Sequence, residues 1–98
     1  MRRGKMMTES GYLKELEEVG GSYPRVSGRI YGLTVFCSAN PGSVVVRSSG
    51  PGIGRVFLQL DVPAEDGLVI PIPFVDDIYY SGNTYVEISN CSVYVVYS

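Results

Sequence analysis

Between Arg25 and Tyr97 the chain alternates short β-branched and aromatic runs with turn-forming residues. This punctuation constrains the fold more than any other feature. The runs are Ile30–Cys37, Val44–Ser48, Val56–Val62, Leu68–Val75, Thr84–Ser89 and Cys91–Tyr97. Between them stand Asn40-Pro41-Gly42, Gly50-Pro51-Gly52, Asp66-Gly67 and Ser81-Gly82-Asn83. Turn signals about every 8–12 residues are the pattern of an all-β antiparallel sandwich. The expected fold is a small one, jelly-roll or Ig-like, of about six to eight strands.

Composition shifts near Gly20-Gly21, which divides the chain into an N-terminal arm, residues 1–24, and a β-sandwich domain, residues 25–98. In the arm, Tyr12, Leu13, Leu16 and Val19 recur at helical spacing. Ser10 is placed to cap a short helix and Gly20 to end it. A helix of about ten residues is marginal alone in water, so the arm is expected to dock on a neighbouring subunit or to fray. A sandwich of roughly 70–80 residues supplies only ~3–5 kcal/mol from its own core, which points to association.

The net charge of −2 argues against a nucleic-acid surface. No apolar run is long enough for a membrane helix. The basic start, Met1-Arg2-Arg3-Gly4-Lys5, leads into no apolar stretch, so no secretory signal is read and synthesis in a cytoplasm is expected. Asn90-Cys91-Ser92 is then a chance glycosylation sequon. Cys37 ends the first run and Cys91 opens the last. Strands at the two ends of a sandwich often lie side by side, which leaves a bridge open. Free buried thiols are the commoner outcome in a cytoplasmic product.

Alternation predicts the faces. Val56, Leu58, Leu60 and Val62 share one side of their strand, and Leu68, Ile70, Ile72 and Phe74 share one side of theirs. Val56, Leu58, Leu60, Leu68, Ile70, Ile72 and Phe74, with Val86 and Ile88, make the expected core. Pro71 and Pro73, two apart, remove two donors from the same side of a strand, so that strand belongs at an edge. Val44-Val45-Val46 and Val93-Tyr94-Val95-Val96 are apolar on both faces, and the second face of each needs cover. The chain has eight tyrosines and no tryptophan. A core this small cannot hold Tyr31, Tyr79, Tyr80, Tyr85, Tyr94 and Tyr97 together. Tyr31, Tyr79, Tyr80, Tyr85 and Tyr94, with Tyr12, Leu13, Leu16 and Val19 of the arm, are therefore the candidate interface residues.

Signals for chemistry are weak. Gly50-Pro51-Gly52-Ile53-Gly54 lacks the lysine and helix of a phosphate loop and reads as a hairpin turn. Asp61, Glu65, Asp66, Asp76 and Asp77 are oxygen donors for calcium in type but not in spacing. Asp66-Gly67 reads as a turn and Asp76-Asp77 as a solvated corner. Without histidine, no serine has its usual base. No catalytic residue, cofactor site or metal site is assigned.

Residues 28–98 resemble small β-sandwich virion proteins of tailed bacteriophages. The resemblance is carried by Ile30–Cys37, Val44–Arg47, Val56–Val62, Pro63-Ala64, Ser81-Gly82, Tyr85-Val86-Glu87-Ile88 and Ser92-Val93-Tyr94-Val95-Val96-Tyr97. It implies a non-enzymatic structural role: a decoration (cement) protein on a capsid, or a head, tail or portal accessory part. The implied partners are the major capsid protein, or another virion protein, and copies of itself as dimer or trimer, with no nucleic acid and no membrane. The implied location is the virion. A carbohydrate- or receptor-binding module is the rival reading of the same residues, since tyrosines stack on sugars.

Overall fold

The computed structural model describes residues 3–13, 27–81 and 84–98, with the side chains of 3, 27, 28 and 75–81 left aside. It holds eight strands: β1 Arg3–Met7, β2 Gly11–Tyr12, β3 Ser27–Cys37, β4 Gly42–Arg47, β5 Val56–Val62, β6 Val69–Ser81, β7 Tyr85–Ser89 and β8 Cys91–Tyr97. They form two antiparallel four-stranded sheets, ordered β1-β8-β3-β6 and β2-β7-β4-β5.

This order has a simple origin. The ladders β4·β5, β3·β6, β2·β7 and β1·β8 are those of one long hairpin with its tip between β4 and β5. Rolling that ribbon joins β3 to β8 and β4 to β7. The result is a jelly roll, one of the two sandwiches the sequence allows.

The rolled topology corrects the expectation for the arm over residues 3–13, which are built into the sheets. All of β1 pairs with β8, from Arg3↔Tyr97 to Met7↔Val93. Met7 and Leu13 are buried in the core. Ser10 caps no helix. Its hydroxyl accepts from the Ile88 backbone N–H at 2.8 Å and donates to the Ile88 carbonyl at 3.3 Å. Tyr12 is in a strand. The rest of the expected helix, including Leu16 and Val19, lies outside the described residues, as does the boundary at 24/25.

The core differs from the expected one. Its fully buried side chains are Leu13, Ile30, Val35, Val44, Val46, Val86, Val93 and Val95, joined by Leu33, Val62 and Tyr97. Of the expected set only Val86 is fully buried. Leu58, Leu60, Leu68, Ile70, Ile72, Phe74 and Ile88 are half buried against this cluster, and Val56 is exposed. The reason is strand order and, for Val56, a register shift that sets it opposite outward Arg47. β5 and β6 are edge strands, whereas β3, β4 and β8 each have neighbours on both sides.

The edge position of β6 is as Pro71 and Pro73 predict. The Cys37 N–H donates to the Leu68 carbonyl at 2.9 Å. Hydrogen bonds alternate along an antiparallel ladder, so Thr34↔Pro71 and Gly32↔Pro73 are non-hydrogen-bonded pairs. Both missing donors therefore lie on the free edge. β6 also runs further than expected, through Asp76-Asp77 to Ser81. The register jumps from Gly32↔Pro73 to Ile30↔Ile78, leaving Phe74, Val75, Asp76 and Asp77 in a bulge opposite Tyr31. A bulge lets a strand carry residues that cannot pair. Asp76-Asp77 is thus part of a strand rather than a corner.

Candidate interaction face

The two sheets differ on their outer surfaces. On the second sheet, the residues flanking inward Val44, Val46 and Val86 face out. They include Ser43, Val45, Arg47, Gln59, Asp61, Tyr85 and Glu87. This face carries charged groups among Val45, Val56, Tyr12 and Tyr85, and it is partly covered by its own hairpin loop, 48–55. The Glu87 carboxylate accepts from Arg47 Nε at 2.9 Å and from the Gly52 backbone N–H at 2.7 Å, with one oxygen, Oε1, taking both bonds. Glu87 thereby pins the loop back over β7. Inside the loop, the Ser48 N–H donates to the Arg55 carbonyl, the Arg55 N–H to Ser48 Oγ, and the Ile53 N–H to the Gly50 carbonyl. Gly50, Gly52 and Gly54 all have positive φ, which side chains disfavour. The glycine-rich segment is a hairpin turn, as read.

On the first sheet the outward positions are Gly4 and Met6 of β1, Ser92, Tyr94 and Val96 of β8, Gly32, Thr34 and Phe36 of β3, and Val69, Pro71 and Pro73 of β6. They alternate with the buried Met7, Leu33, Val35, Val93 and Val95. None of these is acidic or basic, and exposed Arg29 stands at the end of the same face, next to buried Ile30. Met6, Tyr94 and Val69 are 43%, 38% and 47% exposed. The strip ends in a shallow hollow of about 280 Å³ lined by Tyr31, Gly32, Leu33, Thr34, Pro71, Ile72, Pro73 and Val96. Gly32 makes its floor. A Cβ there would stand 2.9 Å from the Ile72 carbonyl oxygen, so no larger residue fits without moving β6.

The candidate tyrosines part company here. Tyr94 lies on the exposed strip. Tyr31 lines the hollow, and its hydroxyl pairs with Ser98 Oγ at 3.1 Å. Tyr12 and Tyr85 pack edge to face across β2 and β7, with centroids 4.8 Å apart, on the other sheet. Leu13 is a core residue, not a surface one. The side chains of Tyr79 and Tyr80 lie outside the described ones. Sequence reasoning missed Met6, Phe36 and Val69. The signal for Phe36 and Val69 was their position between inward residues of strands already identified.

Of the acidic residues, Glu65 and Asp66 belong to a turn. Leu68 N–H donates to the Glu65 carbonyl at 3.0 Å, closing the Asp66-Gly67 turn, and Gly67 has φ 86°. Among the described residues no group of three histidine, cysteine or acidic side chains could hold a metal ion. No helix among them is long and apolar enough to cross a membrane. Compared with known proteins, the chain matches no family model, no curated protein and no solved structure.

Proposed function

We propose that this chain is a non-enzymatic virion structural protein, a capsid decoration (cement) protein that binds the outer surface of a phage head and stabilises it. The supporting observation is the largely apolar strip of outward residues on the first sheet, with Met6, Tyr94 and Val69 exposed and Arg29 at one end, on a domain whose other sheet carries Arg47, Asp61 and Glu87 outside. Burying such a strip against a protein surface is favourable at roughly 25 cal/mol per Å² of apolar area, and a contiguous patch is the usual mark of an interaction site. Viral capsid domains use jelly rolls, as do lectins and cupins, so the fold agrees with the reading without selecting it. The proposed partners are the major capsid protein and further copies of the chain, as dimer or trimer.

Two measurements test this. Quantitative mass spectrometry of purified particles should find hundreds of copies per particle. A handful would place the chain in a tail or portal structure, and none would remove it from the virion. Tyr94→Asp should weaken binding to shells lacking the protein by at least roughly tenfold, about 1.4 kcal/mol. Undiminished shell binding together with retention on a glycan array would favour the carbohydrate-binding reading.

A further inference from the structure

Cys37 and Cys91 are directly opposite each other on β3 and β8. Both point inward, in step with the buried pair Val35 and Val93. The Cys37 N–H is spent on Leu68 of β6, so its backbone faces away from β8. Cys37↔Cys91 is therefore a non-hydrogen-bonded pair. Such pairs have Cα atoms about 4.5 Å apart and side chains closer than in the alternate pairs. A disulfide spans Cα separations of about 4.4–6.8 Å. Both thiols are free in this structure, Cys37 buried and Cys91 half buried. The Cys91 thiol donates to the Ser43 carbonyl at 3.6 Å.

We infer that Cys37 and Cys91 are a redox-sensitive cross-strand pair, converted to a disulfide by exchange with a small-molecule disulfide such as oxidised glutathione. Cys91, the more accessible, reacts first. Its thiolate attacks one sulfur of the oxidant, breaking that S–S bond and releasing one thiolate, which takes up a proton. The Cys37 thiolate then attacks Cys91 Sγ in the mixed disulfide and expels the second thiolate, which is likewise protonated. The two cysteines lose two electrons and two protons, and the oxidant gains them as two thiols.

The bridge would tie the end of β3 to the start of β8. The bridge would lie within the first sheet, and the covalent loop it closes would contain β4, β5, β6 and β7, three of them strands of the second sheet. The chain would fold as a dithiol under reducing conditions and be locked on passing into oxidising surroundings.

The test uses the native full chain incubated with oxidised glutathione, then acid-quenched and digested without reduction. Mass spectrometry should find the Cys37 and Cys91 peptides linked within one chain, and the melting temperature should rise by ~10 °C or more, reversed by reductant. Cys37→Ser should stall with glutathione on Cys91. The inference is overturned if the wild-type chain keeps a stable glutathione adduct on Cys91, bridges only between chains, or bridges only after denaturation. It is equally overturned if the linked form melts no higher than the dithiol. The wild-type arms decide the matter even if the serine variant does not fold.

Discussion

The ring of Tyr94 lies where a side chain on Gly4 would have to go. A Cβ at Gly4 would collide with the Tyr94 hydroxyl and ring carbons. Gly4 pairs with Val96 and Met6 with Tyr94, so the ring leans diagonally across β1 and covers backbone that glycine leaves bare. An aromatic over a cross-strand glycine compensates for the missing side chain. It also sets how Tyr94 is presented on the apolar strip.

Gly4→Val should therefore swing Tyr94 off β1 and destabilise the domain by about 1–3 kcal/mol, the usual cost of overpacking. In a double-mutant cycle with Tyr94→Ala, the two substitutions should couple by at least ~0.5 kcal/mol. Strict additivity in denaturant melts would show that the ring does not rest on Gly4.

Deleting residues 1–7 removes β1. Val93 and Val95 would lose their neighbour, Met7 would leave the core, and β8 would become an edge. We expect a loss of about 3 kcal/mol or more, which is most of what a domain this small has. Circular dichroism melts should lose their cooperative transition or fall by roughly 12–24 °C. A truncated chain melting like the full one would mean that residues 1–7 are dispensable to the fold.

Leu33 and Leu58 separate the observed core from the one read in the sequence. Leu33 is 3% exposed in the centre of the first sheet, whereas Leu58 is half buried on an edge strand. Leu33→Ala should cost about 2–5 kcal/mol and Leu58→Ala clearly less, measured by urea unfolding. The reverse order would mean that β5, not β3, holds the core.

Glu87→Ala removes both bonds that hold the hairpin loop, to Arg47 and to the Gly52 N–H. The charged pair is partly exposed, so its ionic part is worth little, but the bond to the backbone is charge-assisted. A loss of about 1–2 kcal/mol is expected. Limited proteolysis should show new cleavage near exposed Ile53. Unchanged protection would mean the loop is held by its own turn bonds.

Burial pushes the Cys91 thiol above its ordinary value, the nearby Cys37 acts in the same direction, and a backbone hydrogen bond at Ser89 opposes them. At neutral pH its alkylation should be slower than that of a free cysteine, rising about tenfold per pH unit until it ionises. The sign for stability follows. The folded thiol holds its proton to higher pH than the unfolded one. Its contribution is complete below the unfolded value of ~8.5 and is lost as pH rises through the folded value. Stability rising over that range would contradict the raised value.

How much of this was legible depended on where each strand sits. The alternation in Val56–Val62 and the prolines of Leu68–Phe74 stood out because these are edge strands with a polar or proline-bearing side. The same feature misdirected the core, which belongs to β3, β4 and β8. These strands are flanked on both sides, and Val44-Val45-Val46 and Val93-Tyr94-Val95-Val96 are apolar toward both faces, so their inward side cannot be read from alternation. Of the candidate interface, Tyr94 was legible as one tyrosine among many. Its place on a largely apolar strip needed the pairing of four strands.

The sequence by itself determined what local chemistry controls: strands from β-branched runs, turns from glycine, proline and asparagine, and an edge from Pro71 and Pro73. Only the tertiary structure decided what depends on partners distant in the chain. Gly4, Lys5, Met6 and Met7 have little preference for a strand, yet they form one because the open edge of β8 supplies their hydrogen bonds. Cys37 and Cys91 became neighbours for the same reason: rolling one long hairpin brings β3 against β8, and no local residue pattern encodes that contact.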